Sequence, residues 1–321
     1  MQPLTAATLA RLAGAPPGIW RAWSFDPLVV CGLLAAALAY ARGLRALWAR
    51  GMGRGVSPWR AAAFAGGLVA LAVALLSPLD ALDGELFTIH MAQHMLLILV
   101  AAPLLVLGAP GLAVLAGLPR GARRGLTRRR RSLAGAAIGW ALDQPLLVLL
   151  AHVGVLWTWH LPVPYQAALA SPPLHAMEHI TFLGTAMLLW RVVLGPDPRH
   201  RLGRGLAILS VFVTALQAGA LGALLTFAPQ PLYPRQALGS AAWGVTPLAD
   251  QQLAGIVMWV PGGVVYLATA AALLLVWLAE MEAEARAGEE PLPGGRDAVA
   301  RHAPLPGLDV VAPITGRGEQ P

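Results

Sequence analysis

The stretch ELFTIHMAQHMLLILVAAPLLVL, residues 85–107, decides the fold of this chain. It is apolar over a length that can cross the roughly 30 Å hydrocarbon core of a bilayer, which takes about 20 helical residues. Its first half nevertheless carries two histidines four positions apart, and residues at that spacing share one face of a helix. The segment therefore predicts a transmembrane helix that presents two imidazoles near one membrane surface.

The rest of the chain has the same apolar character. Of its 321 residues, 57% are hydrophobic and 12% are charged, against about 25% charged residues in soluble domains. Apolar segments separated by proline, glycine and arginine predict an all-α, polytopic membrane bundle of seven transmembrane helices. The predicted spans are residues 27–47, 59–76, 85–107, 143–160, 173–193, 205–227 and 250–278. The predicted regions are an outer N-terminal segment (1–26), a seven-span membrane domain (27–280) and a disordered cytoplasmic tail (281–321).

The distribution of arginine predicts the orientation of these spans. Every basic residue other than histidine is an arginine, and the loops after the first, third and fifth spans carry 16 of them, whereas the other three loops carry one. Cytoplasmic loops hold the basic excess in membrane proteins. We therefore expect the N-terminus outside and the C-terminus in the cytoplasm. Positive charge clustered between apolar segments indicates topology and contact with membrane lipid, and not the binding of nucleic acid.

Six of the eight histidines fall in the outer half of the predicted bundle. They are His90, His94, His152, His160, His175 and His179. Ionisable residues inside a membrane usually face the bundle interior and mark a functional path. Imidazole is also the commonest metal ligand and suits copper, zinc and iron. The pattern therefore predicts a metal site formed by these six side chains.

Helical rise predicts the depth of each histidine. At about 1.5 Å per residue, the six side chains form three tiers, each supplied by two different helices. From deepest to shallowest, the expected tiers are His94 with His152, His90 with His179, and His160 with His175.

Several neighbouring side chains are weaker candidates for the same site. Thioether sulfur favours Cu(I), so Met91 and Met95 are auxiliary candidates, although methionine on an apolar helix more often only packs. Gln93 and Glu178 each precede the second histidine of a pair and could orient an imidazole. The outer loop before the third span could attract cations or simply be solvated, and its acidic residues are Asp80, Asp83 and Glu85. The loop at 228–248, rich in proline, glycine and aromatics, could cover the histidines, dock a partner or belong to an interfacial aromatic belt.

Several segments occur in a fixed order between residues 20 and 280: WSFDPLVV, IHMAQHMLL, LWTWHLPVPYQAAL with SPPLHAMEHITF, and PLYP followed by PLADQQLAGIVMWVPGG. Together they resemble the polytopic CtaG family of assembly factors for caa(3)-type cytochrome c oxidase. That family is distinct from the single-span copper chaperone of the same name. The resemblance implies a non-enzymatic, multi-pass protein of the bacterial plasma membrane that supports oxidase maturation, with oxidase subunits as partners and copper as the metal supplied. The positions it carries over are His90, His94, His160, His175 and His179, with Asp250 and Gln251 in the last motif.

Two other functions remain open at the level of the sequence. Facing histidines such as His94 and His152 could ligate a haem from both sides. An outward-facing metal transporter is the other alternative, although no ionisable residue continues a path through the inner half of the predicted spans. Walker, HExxH, dinucleotide-binding and CxxC motifs do not occur. A membrane metalloenzyme stays open as well, although the sequence indicates no separate general base for it.

Overall fold

The computed structural model describes residues 22–197, 201–233, 239–240 and 243–289, and this part of the chain is helical without strands. Within it, six helical stretches, some of them made of consecutive shorter helices, are long and apolar enough to cross a membrane. The number becomes seven if two consecutive helices, joined at a sharp bend, form one span. The prediction of an all-α polytopic membrane bundle is therefore confirmed. The direction in which the termini point stays a prediction.

The helices follow the predicted order of spans. The first three spans and their links are α1 (Pro27–Trp48), α2 (Pro58–Leu76), α3 (Pro78–Leu82), α4 (Phe87–Met95), a π-helical segment (Leu96–Ala101) and α5 (Ala102–Leu107). The connection to the fourth span contains α6 (Pro110–Gly117), α7 (Arg120–Arg131) and α8 (Leu133–Asp143). The remaining helices are α9 (Pro145–Trp159), α10 (Pro162–Ala170), α11 (Pro172–Leu194), α12 (Arg204–Phe227) and α13 (Pro247–Glu289).

Proline marks the start of most of these helices. Its fixed φ angle and missing N–H suit the first helical position, where an N–H would have no partner within the helix. At the start of α1, Asp26 adds a cap: its carboxylate accepts hydrogen bonds from the backbone N–H of Leu28 (2.7 Å) and Val29 (3.1 Å). These local signals explain why most predicted span boundaries agree with the structure to within a few residues.

The third span is helical throughout but widens in its middle, over the π-helical segment. Pro103 follows this segment and lacks an N–H, and a proline ring inside a helix clashes with the carbonyl four residues earlier, here that of Leu99. A wider turn relieves this clash and leaves carbonyl groups that need other partners. The indole N–H of Trp190 donates to the carbonyl of Ile98 at 2.8 Å, so α11 supplies one of those partners.

The third span is also the centre of the bundle. In its most apolar stretch of 18 residues, 67% of the residues are buried, against 11% in the corresponding stretch of α1. One group of buried side chains lies between this span, α1 and α2, and includes Tyr40 stacked on Phe64 with 3.8 Å between ring centroids. A larger group joins the third span to α9, α11, α12 and α13, where Trp190 stacks on Tyr266 at 5.9 Å. The histidines of the third span are thus carried by the most enclosed helix of the chain.

The region around the fourth span differs from the prediction of one helix over 143–160. The structure has the 15-residue α9, bent by 77° from the apolar α8 that precedes it. Fifteen helical residues cover about 22 Å, which is short of a bilayer core. The basic stretch predicted as a loop is the helix α7, and a further short helix, α10, connects α9 to α11.

The two ends of the chain are only partly described. Residues 1–21 and 290–321 lie outside the described residues, and so does most of the predicted N-terminal segment and cytoplasmic tail. The tail prediction is wrong at its start, because α13 continues to Glu289. Residues up to Leu275 belong to one compact unit and those from Val276 to another. The site described below lies within the first unit.

Candidate metal centre

Five of the six predicted histidines lie together. Two are on α4 (His90 and His94), two are on α11 (His175 and His179), and His160 directly follows α9. We call these five the histidine cluster. Within each pair the ring centroids are 4.3 Å apart. Between helices, the centroid distances are 5.3 Å for His90–His175, 5.4 Å for His94–His179 and 6.4 Å for His94–His160.

The spacing of four residues explains how two helices supply most of the cluster. Side chains four positions apart lie above one another on the same helix face, so each pair can direct both rings at one neighbour. Both pairs sit in the first turns of their helices, which begin at Phe87 and Pro172. His90 and His94 are fully buried, whereas the side chain of His175 is 22% exposed. The cluster therefore has an enclosed side on α4 and a more open side on α11.

Glu178 is the carboxylate inside the cluster. Its Oε1 lies 3.7 Å from Nε2 of His90 and 3.7 Å from Nε2 of His94, and its side chain is 1% exposed. These distances exceed the usual hydrogen-bond range of about 2.7–3.2 Å. They are close to the separation of about 3.3 Å between two ligand atoms on one tetrahedral ion with bonds near 2.0 Å. Ligand atoms of His90, His175 and Glu178 all lie within 4.8 Å of one another.

Several polar atoms of the cluster are buried without a hydrogen-bond partner among the described residues. They include both ring nitrogens of His94, Nε2 of His90, Nε2 of His179 and both carboxylate oxygens of Glu178. Buried polar groups are nearly always satisfied, since leaving one without a partner costs about 1–3 kcal/mol. A convergent set of lone-pair donors without partners is the donor set of a metal ion, and imidazole and carboxylate suit transition metals.

Asp83 extends the cluster towards the surface. Its Oδ2 lies 3.2 Å from Nε2 of His175, and ligand atoms of Asp83, His175 and His179 lie within 4.8 Å of one another. Burial and the neighbouring charge of Asp80 raise the pKa of Asp83 to about 7. A bound cation would favour the ionised carboxylate. In the sequence, Asp83 is one of three acidic residues in a loop that could either attract cations or be solvated, and nothing local distinguishes it from Asp80 and Glu85.

The other two acidic residues of that loop have different partners. Asp80 accepts hydrogen bonds from the Ser24 hydroxyl (2.7 Å) and from the Gln93 side-chain amide (3.2 Å). The Trp243 indole N–H approaches Glu85 at 3.4 Å. Only Asp83 of the three joins one of the two ligand groups.

His152, the sixth predicted ligand, is not part of the cluster. Its Nδ1 lies 3.1 Å from the hydroxyl of Thr185, and it makes no ring contact with the five clustered histidines in the described structure. The tier that paired it with His94 is therefore not seen. Instead, His94 has His90, His160 and His179 as ring neighbours. Equal depth along two helices does not bring side chains together when they point in different directions around their helix axes.

The two candidate methionines of α4 differ. Met91 is fully buried, and its Sδ lies 3.3 Å from Nε2 of His160. Met95 is partly buried and packs against the larger apolar core. The structure thus places the sulfur of Met91 beside the cluster and makes Met95 a packing residue.

Asp250 and Gln251, which the resemblance carried over, contact the backbone and not the imidazoles. Asp250 is 2% exposed and accepts hydrogen bonds from the N–H of Phe87 (2.8 Å) and of Thr88 (3.0 Å), and from the Thr88 hydroxyl (2.7 Å). It therefore caps the N-terminus of α4 from α13. Gln251 accepts from the N–H of Leu232 at 2.6 Å and donates to the carbonyl of Leu225 at 3.3 Å. Both are positioning residues for the helix and loop around the cluster.

Three aromatic rings pack beside the cluster. Phe87, Tyr165 and Tyr233 have centroids 4.6–5.2 Å apart, and Tyr165 lies 5.1 Å from the ring of His90. The Tyr233 hydroxyl donates to the carbonyl of His160 at 2.7 Å. Tyr233 comes from the loop at 228–248, so this residue of the loop packs beside the cluster, and the role of the loop stays a prediction. Residues 234–238 and 241–242 of the loop lie outside the described residues.

Buried imidazoles and a carboxylate at one end of several spans define a class of protein: polytopic membrane proteins with a histidine–carboxylate centre. The particular family follows from the sequence. The family described as cytochrome c oxidase caa3 assembly factor (Caa3_CtaG) matches residues 38–280, and the chain belongs to it. The predicted family membership is confirmed.

The curated relatives are mycobacterial. The chain is 29% identical over 274 residues to an uncharacterized protein of Mycobacterium bovis and to one of Mycobacterium tuberculosis, which covers 76% of the chain and 38% of each relative. It is 24% identical over 270 residues to an uncharacterized protein of Mycobacterium leprae, covering 82% of the chain and 41% of that relative. The chain thus spans about two fifths of the length of the curated relatives it matches. No solved structure matches the chain.

Proposed function

We propose that this protein holds copper as cargo in the histidine cluster and delivers it to a subunit of cytochrome c oxidase during assembly. The role is that of a metallochaperone, without catalysis of a reaction. The single observation that carries the proposal is the convergence of five imidazoles and Glu178, with buried polar atoms of His90, His94, His179 and Glu178 left without hydrogen-bond partners among the described residues, inside an otherwise apolar bundle. Family membership supplies the link to oxidase assembly.

The cluster has the features that a carrier of metal cargo needs. Its ligands are neutral imidazoles with one or two carboxylates, a set that suits copper. Its enclosed side on α4 shields the ion from water, while the partly exposed Asp83 and His175 give the ion a way in and out. A resident structural metal would instead be expected in a closed site with four fixed ligands.

The proposed location of the protein rests on the distribution of arginine and on the exposed apolar helices. We place the protein in the bacterial plasma membrane as a multi-pass protein, with the cluster on the outer side, because arginine is concentrated in the loops at the opposite ends of the spans. The helices α7 and α8 extend that basic region, and α8 is apolar and exposed, with Leu133 at 92% and Trp140 at 62% exposure. Such a pair suits the surface of a membrane, so lipid is a further expected partner.

Bis-histidine haem binding receives less support from the geometry. The facing pair that would ligate the iron, His94 and His152, is not in ring contact in the described structure. Within the cluster, imidazoles pack against each other at 4.3–5.4 Å and against Phe182, which lies 4.6 Å from His94. A porphyrin would have to separate these rings. An absorption spectrum of protein from haem-replete cells tests the alternative, because bound haem gives a strong Soret band.

The test of the proposal is copper content. Full-length protein purified from copper-supplemented cells is expected to retain copper by elemental analysis, and His90→Ala/His94→Ala to lose it. The matched control is His152→Ala, which removes an equally buried imidazole outside the cluster and is expected to leave the stoichiometry unchanged.

Three results would count against the proposal. One is copper at the wild-type level in the double variant, and another is equal loss of copper in the control. The third is metal uptake into proteoliposomes that depends on the protein, which would favour the transporter.

A further inference from the structure

The sulfur of Met91 and Nε2 of His160 face each other at 3.3 Å at the buried end of the cluster. The other ring nitrogen of His160, Nδ1, lies 2.7 Å from the carbonyl oxygen of Leu156. A carbonyl oxygen only accepts hydrogen bonds, so Nδ1 must carry the proton. In the neutral ring, Nε2 then carries a lone pair, and thioether sulfur also has only lone pairs to offer.

Two lone-pair donors that face each other in a buried position need an electron-pair acceptor between them. A second proton on His160 would supply one, but it would put a positive charge beside other imidazoles in an apolar interior, which is costly. A metal ion supplies one without that cost. Bonds of about 2.0 Å to nitrogen and about 2.3 Å to sulfur allow one ion to bridge atoms 3.3 Å apart.

We propose that Met91, His160 and His94 form a separate thioether–imidazole site for monovalent copper at the enclosed end of the cluster. His94 is the third ligand because its ring is the nearest clustered imidazole to His160, at 6.4 Å, and both of its nitrogens lack partners in the described structure. The inference rests on the proposed function, which it deepens by naming the oxidation state and the ligands.

The contrast with the open end of the cluster supports this division. There the ligand group is Asp83, His175 and His179, with a carboxylate and partial exposure. Thioether ligands favour Cu(I), whereas carboxylate and imidazole suit divalent ions. Met91 is 0% exposed and His160 is 6% exposed, so the soft ligands are also the ones shielded from water. Binding of Cu(I) at Met91 leaves the oxidation state of copper unchanged, so it requires no oxidant or reductant.

The decisive experiment identifies the sulfur on the metal. Full-length protein is labelled with selenomethionine, purified, loaded with Cu(I) without oxygen and studied by X-ray absorption at the copper edge. The wild type is expected to show selenium as a direct neighbour of copper. Met91→Leu, which nearly conserves volume, is expected to lose this signal. Met95→Leu, the matched control one helical turn away, is expected to keep it.

A competition titration against a coloured Cu(I) chelator measures the consequence. Removal even of an outer partner of a metal ligand costs about 10–100-fold in affinity, so loss of a direct ligand in Met91→Leu is expected to weaken Cu(I) binding at least about tenfold. Binding of Co(II) at the Asp83 end, followed by its visible spectrum, is expected to be unchanged and serves as the check that the variant is folded.

The possible results separate the two proposals. Copper bound to the wild type without a selenium neighbour, or wild-type Cu(I) affinity in Met91→Leu, overturns the thioether site and leaves the proposed function standing. A wild-type protein that binds no copper removes the proposed function and this inference together. Loss of both Cu(I) and Co(II) binding in Met91→Leu means that Met91 is structural, which also overturns the inference.

Discussion

The two histidine pairs of this protein look alike in sequence and differ in structure. IHMAQH on α4 and LHAMEH on α11 both place histidines four residues apart, with an amide or a carboxylate before the second one. Gln93 of the first motif points away from the cluster: its amide donates to the carbonyl of Ala74 at 2.8 Å, on α2. Glu178 of the second motif points inward, 3.7 Å from His90 and His94.

The difference lies in what surrounds each helix. Helix α4 begins a central span with neighbours on several sides, so a polar residue beside the histidine face meets α2. In α11, the side chain at the same place in the motif faces α4. The spacing of four fixes which residues share a face, but the neighbouring helix decides whether an adjacent polar residue joins the site. The comparison predicts that equivalent changes in the two motifs have different effects.

The largest effect is expected for Glu178→Gln. It replaces the carboxyl group between two imidazoles with an amide, which cannot become an anionic ligand, and is expected to lower copper affinity about 10–100-fold, the range for loss of a partner next to metal ligands. Competition titration of copper with a chelator measures this. Copper affinity equal to that of the wild type would mean that the two motifs are equivalent after all.

Asp250→Ala is the next change, because it affects one motif only. It removes the cap that holds the N-terminus of α4, and hydrogen bonds to a charged group contribute about 1.5–3 kcal/mol to stability. Helix α11 has no side-chain cap at its N-cap residue, Ser171, so Ser171→Ala is the matched control and is expected to have little effect. Thermal denaturation in detergent compares the two. Equal melting temperatures for both variants would show that α4 does not depend on this cap.

Gln93→Leu tests the other half of the comparison. It leaves the buried carbonyl of Ala74 without its donor and is expected to cost roughly 1–2 kcal/mol of stability, seen as a lower melting temperature. Copper affinity is expected to stay at the wild-type value. Weaker copper binding without a change in melting temperature would place Gln93 in the site with Glu178.

The smallest effect is expected for Met177→Leu. Each motif has a methionine between its two histidines: Met91 in the first and Met177 in the second. Met91 is buried, whereas Met177 is 45% exposed. Exposed apolar side chains on a membrane helix need no partner within the protein. Its replacement is therefore expected to leave Cu(I) affinity and melting temperature unchanged. A loss of Cu(I) affinity in Met177→Leu would indicate that both motifs supply a sulfur ligand.

Much of the fold was predictable because its signals are local. Hydropathy and proline located the spans, and the spacing of four placed His90 with His94 and His175 with His179 on common faces. The bend before Pro145 and the helical state of residues 120–131 were missed, because both depend on how an amphipathic or apolar segment meets its surroundings. The sequence also could not show that His152 faces Thr185, since rotation of a helix about its axis is set by packing against its neighbours.

The roles of single polar residues were the least predictable part of the site. Asp250 lies 160 residues after His90 in the chain, and nothing local distinguishes a distant helix cap from a metal ligand. Asp83 and Asp80 lie in the same acidic loop, and only the fold sends one to His175 and the other to Ser24 and Gln93. Such assignments depend on long-range contacts that a single sequence does not contain.

The π-helical segment after Met95 has a consequence for how this protein can change over evolution. A π turn amounts to one residue inserted into an α-helix, and each residue corresponds to about 100° of rotation. In a regular α-helix such an insertion would turn one half of the span against the other, but the wider π turn takes up the extra residue locally. Deleting one residue from Leu96–Ala101 is therefore expected to restore a regular helix with His90 and His94 still directed at α11 and with Leu105 and Val106 still buried. The extra residue is confined to one turn, so the histidine half and the core half of the span tolerate its gain or loss.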